Sequence, residues 1–303
     1  MRHDALIVGG SFAGLSAAMQ LARARRNVCV VDAGAPRNRF AAQSHGFFGQ
    51  DGVPPLKMIA DARDKLLAYP TVSFVQASVV AASAQGAEGA DGFTATLDNG
   101  EQRSAHKLLL AFGVQDGLPD IPGVRERWGT SVLHCPYCHG YEFSGRQLGL
   151  LFAGALPPDH ALLIAEWGPV TLFLNGSESL DAGVRAKLRA RGVTIEPGRV
   201  AGIEGPGTDL ACVRLGDGRR VPIEALYVVP RTQPASPLAA QLGCAFDDGP
   251  LGPVLRVDAM KMTTVPGVYA AGDLAMAFTN ATLASADGVA AGVSLHRSLV
   301  FEA

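Results

Sequence analysis

The sequence predicts an α/β chain made of two tandem nucleotide-fold halves, the second inserted into the first, and three observations carry that reading. An apolar run, a glycine-rich turn and an apolar-periodic helix open the chain. A hairpin followed by a buried strand occurs twice, which suggests an internal duplication. A late apolar stretch, Gly267-Val268-Tyr269-Ala270-Ala271, runs into Gly272-Asp273 and returns the chain to the first half.

In order, Ala5-Leu6-Ile7-Val8 is a buried strand, Gly9-Gly10-Ser11-Phe12-Ala13-Gly14 a tight turn, and residues 15–26 a helix broken by Asn27. Val28-Cys29-Val30-Val31 reads as a parallel strand ending at Asp32, which completes one Rossmann-like βαβ unit. Residues 36–55 are rich in Gly, Pro and polar side chains, a connection of the length that usually serves function. Residues 56–69 read as helix. The first hairpin alternates through Phe93-Thr94-Ala95-Thr96-Leu97, turns at Asp98-Asn99-Gly100 and enters Leu108-Leu109-Leu110-Ala111. The second runs from Cys212-Val213-Arg214-Leu215 through Gly216-Asp217-Gly218 into Leu226-Tyr227-Val228-Val229. Between them, strands at 148–151 and 170–174 bracket a crossover helix at 159–167. Pro119-Asp120-Ile121-Pro122-Gly123 and the proline-rich 230–237 mark the hinges. The expected domains are 1–116 with 241–303, and an insert of 117–240.

The composition narrows the function. Lys plus Arg number 26 against 28 Asp plus Glu, a net charge of -2, and no basic run could neutralise a line of phosphates, so nucleic acid is excluded as a partner. No apolar stretch approaches the ~18 residues of a membrane span, and the first residues lack the pattern of a secretory signal. With five cysteines, an odd number, a reducing cytoplasm is expected, where a disulfide is a working one.

Cys135-Pro136-Tyr137-Cys138-His139-Gly140 holds the chemistry: two thiols two residues apart can close a small disulfide, and His139 can move the exchanged proton. A zinc site would need a second Cys/His pair at similar spacing, and the sequence has none. Cys29, Cys212 and Cys244 stand alone and read as structural. Gly9 to Gly14 approximates a dinucleotide fingerprint with Ser11 at its middle glycine, and Asp32 follows the next strand where a carboxylate accepts from ribose hydroxyls. Gly272-Asp273 delivers an acid at the carboxyl end of the sheet, and 279–286 offer helix-start amides to a ring.

These motifs, in this order and spacing, resemble the low-molecular-weight thioredoxin reductase family of flavoproteins over nearly the whole chain. The resemblance implies FAD across the first domain, contacted by Gly9, Ser11, Phe12, Ala13, Gly14, Asp32, Ala33, Arg39, His45, Ala111, Gly113, Gly272, Asp273, Ala281 and Thr282. It implies a homodimer, with Cys138 facing the flavin and Cys135 exchanging with substrate. The aspartate that usually follows the second cysteine is His139 here. His134 ranks below His139, as a residue that orients the dithiol.

The insert departs from the family. Its second fingerprint, for NADPH, aligns with Phe152-Ala153-Gly154-Ala155-Leu156-Pro157, followed by Pro158, and Asn175-Gly176-Ser177-Glu178 stands where arginines hold the 2′-phosphate. NADPH use is thereby put in doubt. The expected activity is an FAD-dependent dithiol oxidase, similar to the branch of the family that closes disulfides in sulfur-containing natural products, with oxygen as acceptor. A reductase of a protein disulfide fed by NADPH or ferredoxin is the alternative enzyme, and an FAD-binding redox sensor the alternative without turnover.

Overall fold

Four consecutive apolar residues suit a strand only where both of its faces are covered. In the computed structural model, which describes residues 2–86, 91–152, 157–177 and 180–301, the strand His3–Val8 lies in the middle of a seven-stranded sheet with Ala5, Leu6 and Ile7 fully buried. The sheet runs Val72–Gln76, Val28–Asp32, His3–Val8, Gln102–Leu110, Phe93–Leu97, Val79–Ala84. The first four of these strands are parallel, and the rest form an antiparallel hairpin extension. Val268–Ala270 pairs in parallel with Leu108, Leu109 and Leu110 of the long central strand, so a late segment completes an early sheet.

The helix after the first turn spans Phe12–Arg23 rather than 15–26. It starts earlier because the glycines let the chain turn at once, and it ends earlier because Arg25 takes a left-handed φ of 63°. The second helix is Pro55–Leu67, with proline in its first turn, where a missing amide costs nothing. The C-terminal helix Ala281–Phe301 lies against Phe12–Arg23. Its Gly288 and Gly292 permit the approach, since a Cβ there would meet Ala13 O at 2.1 Å and Ala17 O at 2.7 Å.

A second, five-stranded parallel sheet runs Thr194–Glu196, Val170–Phe173, Leu148–Leu151, Ala225–Val228, Val132–Leu133. Its crossover helix is only His160–Ile164, shorter than the expected 159–167 mainly at its end, because the chain beyond Ile164 closes in i→i−3 turns, with Glu166 N donating to Leu163 O and Trp167 N to Ile164 O. The two hairpins also differ. The first flows into the main sheet as one strand, Gln102–Leu110, whereas the second is a separate three-stranded sheet whose last strand, Arg220–Pro222, stops short of Ala225–Val228. Pro222, lacking an amide, ends the ladder there. Between the sheets the chain passes out through Val114–Gly117 and back through Arg231–Pro234, which pair antiparallel as a two-stranded ribbon. No helix among the described residues is long and apolar enough to cross a membrane.

Candidate dithiol active site

The strand Val132–Leu133 delivers His134 and Cys135 to the carboxyl edge of the second sheet. Cys135 is extended at φ −125°, and Pro136 begins one helical turn, Pro136–His139. Gly140 closes it under Trp167, where a Cβ would meet the indole at 2.8 Å, and Tyr137 meets the same indole edge-on at 5.6 Å. Cys135 and Cys138 are free thiols, both partly exposed. The hydrogen bond from Cys138 and the amides of Cys138 and Tyr137 hold the Cys135 thiol down to about 7, against burial that opposes them. The same hydrogen bond and burial push the Cys138 thiol up. One thiolate and one thiol therefore coexist near neutral pH, the arrangement an exchanging dithiol needs.

Three protonatable groups flank the pair. Burial keeps His139 below the ordinary histidine value, so it is a neutral base at pH 7. Its ring stands edge-on to His45 at 6.4 Å, and His45 lies 3.4 Å from Glu142 through Nε2 and 3.4 Å from Asp51 through Nδ1. His45 thus joins the long connection of the first half to the dithiol of the second. His134 is held neutral down to about 4 by burial and by the charge of Arg37.

In the first half, the fingerprint glycines are sterically required. Gly9 has φ 107° and its Cβ would fall 2.3 Å from Ala111 O, while a Cβ on Gly14 would fall 1.8 Å from Gly9 O. Asp32 accepts from Gly10 N at 2.9 Å and from Gly34 N at 3.1 Å, so its carboxylate fixes the turn and the loop beyond. Ser11 makes no side-chain cap, which leaves the first helical turn of Phe12 and Ala13 open to an anion. Gly272 (φ 77°) begins a 3-10 turn against Ala13. Its amide donates to the buried Asp287, itself paired with Lys261. Ala281 and Thr282 open the C-terminal helix, where Asn280 accepts from Leu283 N at 2.9 Å. Ala111 donates to Val8 O, Gly113 takes φ 70° at the start of the ribbon, and Ala33 is exposed at the loop's entry.

Two residues outside the sequence expectation dominate this region. Arg37 donates to Asp116 at 2.5 and 3.0 Å and to Asp273 at 2.8 Å, joining the loop, the ribbon and the Gly272-Asp273 turn. Arg39, named from the sequence, is exposed, donates to Ala35 O and Pro36 O and lies over Phe40. Beside Arg37, Asn38 Oδ1 is buried without a hydrogen-bond partner. An orphaned acceptor in the loop that Arg37 ties to Asp273, open helix amides at Phe12 and Ala13, and a glycine turn that admits no side chain together fit a dinucleotide of the size of FAD. No cluster among the described residues could hold a metal ion.

The expected NADPH fingerprint falls largely on residues 153–156, and Glu178 with it; these lie outside the described residues. Around them, Phe152 N donates to Phe173 O, and the amides of His160, Ala161 and Leu162 donate to Pro157 O, Pro158 O and Asp159 O. Asn175 Oδ1 accepts from Val200 N, and Arg199 lies beside Asn175 in a pocket of 390 Å³ with Asp120 and Pro122.

Residues 3–288 match the sequence profile of the pyridine nucleotide-disulphide oxidoreductases. The chain is 34% identical over 302 residues to the thioredoxin reductase tcpT of Claviceps purpurea, covering 95% of this chain and 92% of that protein. Among solved structures it is similar to an oxidoreductase from Agrobacterium tumefaciens, at 44% identity and a TM-score of 0.93 over 100% of both chains. It is also similar to HlmI, at 37% identity and a TM-score of 0.90 over 99% of this chain and 93% of that one.

Proposed function

This chain belongs to the pyridine nucleotide-disulphide oxidoreductase family, and on that premise we propose that it oxidises substrate dithiols to disulfides, with oxygen as the final acceptor. It is a thioredoxin reductase-like enzyme with FAD as its cofactor. Bound across the first half, FAD supplies a two-electron acceptor for the dithiol. Phe12, Ala13, Asp32, Asn38, Gly272 and Asp273 would hold it. In the overall reaction two thiols lose two protons and two electrons, and oxygen gains both pairs to become hydrogen peroxide. Cys135 exchanges with the substrate, Cys138 carries the electrons onward, and His139 takes a proton. The same reading assigns residues 1–116 and 241–303 to the FAD domain and 117–240 to a redox insert, and it makes a second copy of this chain the partner.

The observation that carries the oxidase reading is the start of the short helix His160–Ile164. Two prolines contribute no amides there, and the amides of His160, Ala161 and Leu162 are already bonded to the carbonyls just before them, so among the described residues of this helix start a pyrophosphate finds few donors. The alternative, an NADPH-fed reductase of protein disulfides, is favoured by Arg199, which stands beside the turn after Val170–Phe173 where a 2′-phosphate would lie. Anaerobic rapid mixing decides between them. Bleaching of the flavin by a small dithiol but not by NADPH or NADH, with peroxide formed when air is admitted, is the expected result; fast bleaching by NADPH would restore the reductase. Dithiol reduction with sluggish reoxidation in air would point to a protein acceptor such as ferredoxin.

A further inference from the structure

Among the described residues the most exposed large apolar side chains are Phe48 at 95%, Tyr141 at 83%, Phe301 at 75% and Tyr137 at 72%. Phe301 ends the C-terminal helix; the other three lie on the two segments that meet at the dithiol. Tyr137 stands between the cysteines and Tyr141 follows Gly140, while Phe48 belongs to the loop 44–53, whose His45 is 3.4 Å from Glu142 and edge-on to His139. Single exposed apolar residues are ordinary, but three rings around one reactive pair mark a surface that something covers. Of the two residues between the thiols, Pro136 is buried and Tyr137 faces out. Its ring is held in one orientation. Trp167, perpendicular to it at 5.6 Å, is fixed in turn by Gly140 packed on the indole and by the bond from Gly145 N to Trp167 O at 2.7 Å. A ring so braced loses little freedom when a ligand rests on it.

We propose that Tyr137 selects the substrate by lying against the scaffold that carries its thiols, and that this scaffold is small, uncharged and flat. The inference rests on the dithiol-oxidase reading. A substrate thiolate attacks Cys135 Sγ of the closed pair, forming a mixed disulfide and releasing Cys138 as a thiolate. The second substrate thiolate then attacks the substrate sulfur of that mixed disulfide, closing the substrate disulfide and releasing Cys135 as a thiolate. Two electrons pass from the substrate to the enzyme pair, and the two thiol protons go to His139 and solvent. While the mixed disulfide lasts, the scaffold is tethered two residues from Tyr137, in the turn that Cys138 N closes on Cys135 O at 3.3 Å. An aromatic face there favours a flat apolar neighbour over water. Charge offers no rival selection. In residues 134–146 and 44–53 the acidic and basic side chains other than histidine are Glu142, Arg146 and Asp51; Glu142 and Asp51 flank His45, and Arg146 lies over Phe143 and 4.0 Å from Glu224. The sulfurs are only partly exposed whereas the rings are largely so, which suits a carrier narrow enough to enter between the loop and the turn.

The test uses the FAD-loaded full chain carrying Cys138→Ser, in which Cys135 reacts alone. Its thiolate attacks either dipyridyl disulfide, flat and neutral, or hydroxyethyl disulfide, neutral and without a ring, releasing half of each as a thiol; peptide mass spectrometry follows the mixed disulfide at Cys135. Tyr137→Ser is expected to lower the ratio of the aromatic to the aliphatic rate by about threefold to tenfold, and Tyr137→Phe to keep it. An unchanged ratio, a fall of both rates alike, or loss of the preference in Tyr137→Phe overturns the proposal. With both cysteines present, the concentration of benzenedimethanethiol that half-saturates anaerobic flavin bleaching is expected to rise by the same factor in Tyr137→Ser, relative to that of dithiothreitol. Faster bleaching of the parent by reduced thioredoxin than by benzenedimethanethiol would put a protein against the ring and also overturn it. The disulfide probes need neither turnover nor oxygen. An enzyme bleached by NADPH and by no dithiol would thus refute the oxidase reading and leave the selectivity of Tyr137 to be judged on its own.

Discussion

At Cys135 a single hydrogen bond and two amides bring a thiol from an ordinary 9.0 to about 7, so its thiolate fraction rises through neutral pH instead of two units above it. Cys135→Ser is expected to stop exchange with substrate, and Cys138→Ser to leave the flavin yellow under anaerobic dithiol; turnover at the parent rate by either variant would remove the mechanism. His139, neutral at pH 7 because of its burial, is expected to matter as a base. His139→Ala should slow thiol oxidation by about 10²-fold or more, read as kcat across neutral pH, and an unchanged profile would leave it a packing residue. The dithiol and its histidine were legible because their chemistry is local, written in six consecutive residues. The partnerless, buried hydroxyl of Tyr227 was not, since an aromatic in an apolar run reads as core. Arg37 was missed for a related reason: two arginines two apart in a Gly/Pro loop look alike until the fold shows which one meets Asp116 and Asp273.

Elements were legible where periodicity and steric punctuation agree, as in the strand, glycine turn and helix of residues 3–23. They were less so where local turns compete with the pattern, as the i→i−3 turns after Ile164 do by shortening the crossover helix and Pro222 does by cutting the second hairpin from its sheet. The duplication seen in the sequence therefore holds for the order of elements but not for how they join. The loop at 36–39 is held mainly by Arg37, whose carboxylate partners Asp116 and Asp273 have side chains only 9% and 21% exposed. Arg37→Met would leave both acids partly buried and unpaired. It is expected to cost about 2–4 kcal/mol of stability and to lower flavin occupancy. Chemical denaturation and the flavin-to-protein absorbance ratio check the two effects, and a variant with parent stability and full flavin would show the ion pairs to be dispensable.

For the whole molecule, His134 sets a sensitivity to acid. It stays neutral in the folded chain down to about 4, whereas an unfolded histidine takes up a proton near 6.5. Between those values the unfolded state binds the extra proton, so stability present above pH 6.5 is lost as pH falls toward 4, by about 2–3 kcal/mol. His134→Gln should flatten that part of a denaturation-versus-pH curve, and a curve of unchanged slope would place the acid sensitivity elsewhere.

The late strand Val268–Ala270 and the helix Ala281–Phe301 close the sheet and the helical layer that residues 3–23 begin. This has a consequence for the order in which the chain is made. When Leu110 leaves the ribosome, part of its edge has no strand to pair with until residue 268 emerges, roughly ten to thirty seconds later at ordinary rates of synthesis. The parallel sheet carrying the dithiol, whose strands all lie between residues 132 and 228, can be complete well before that. A nascent chain would thus hold its reactive thiols on a finished platform while the cofactor's cradle is still missing a wall, and the first half, not the insert, is the part left exposed to chaperones.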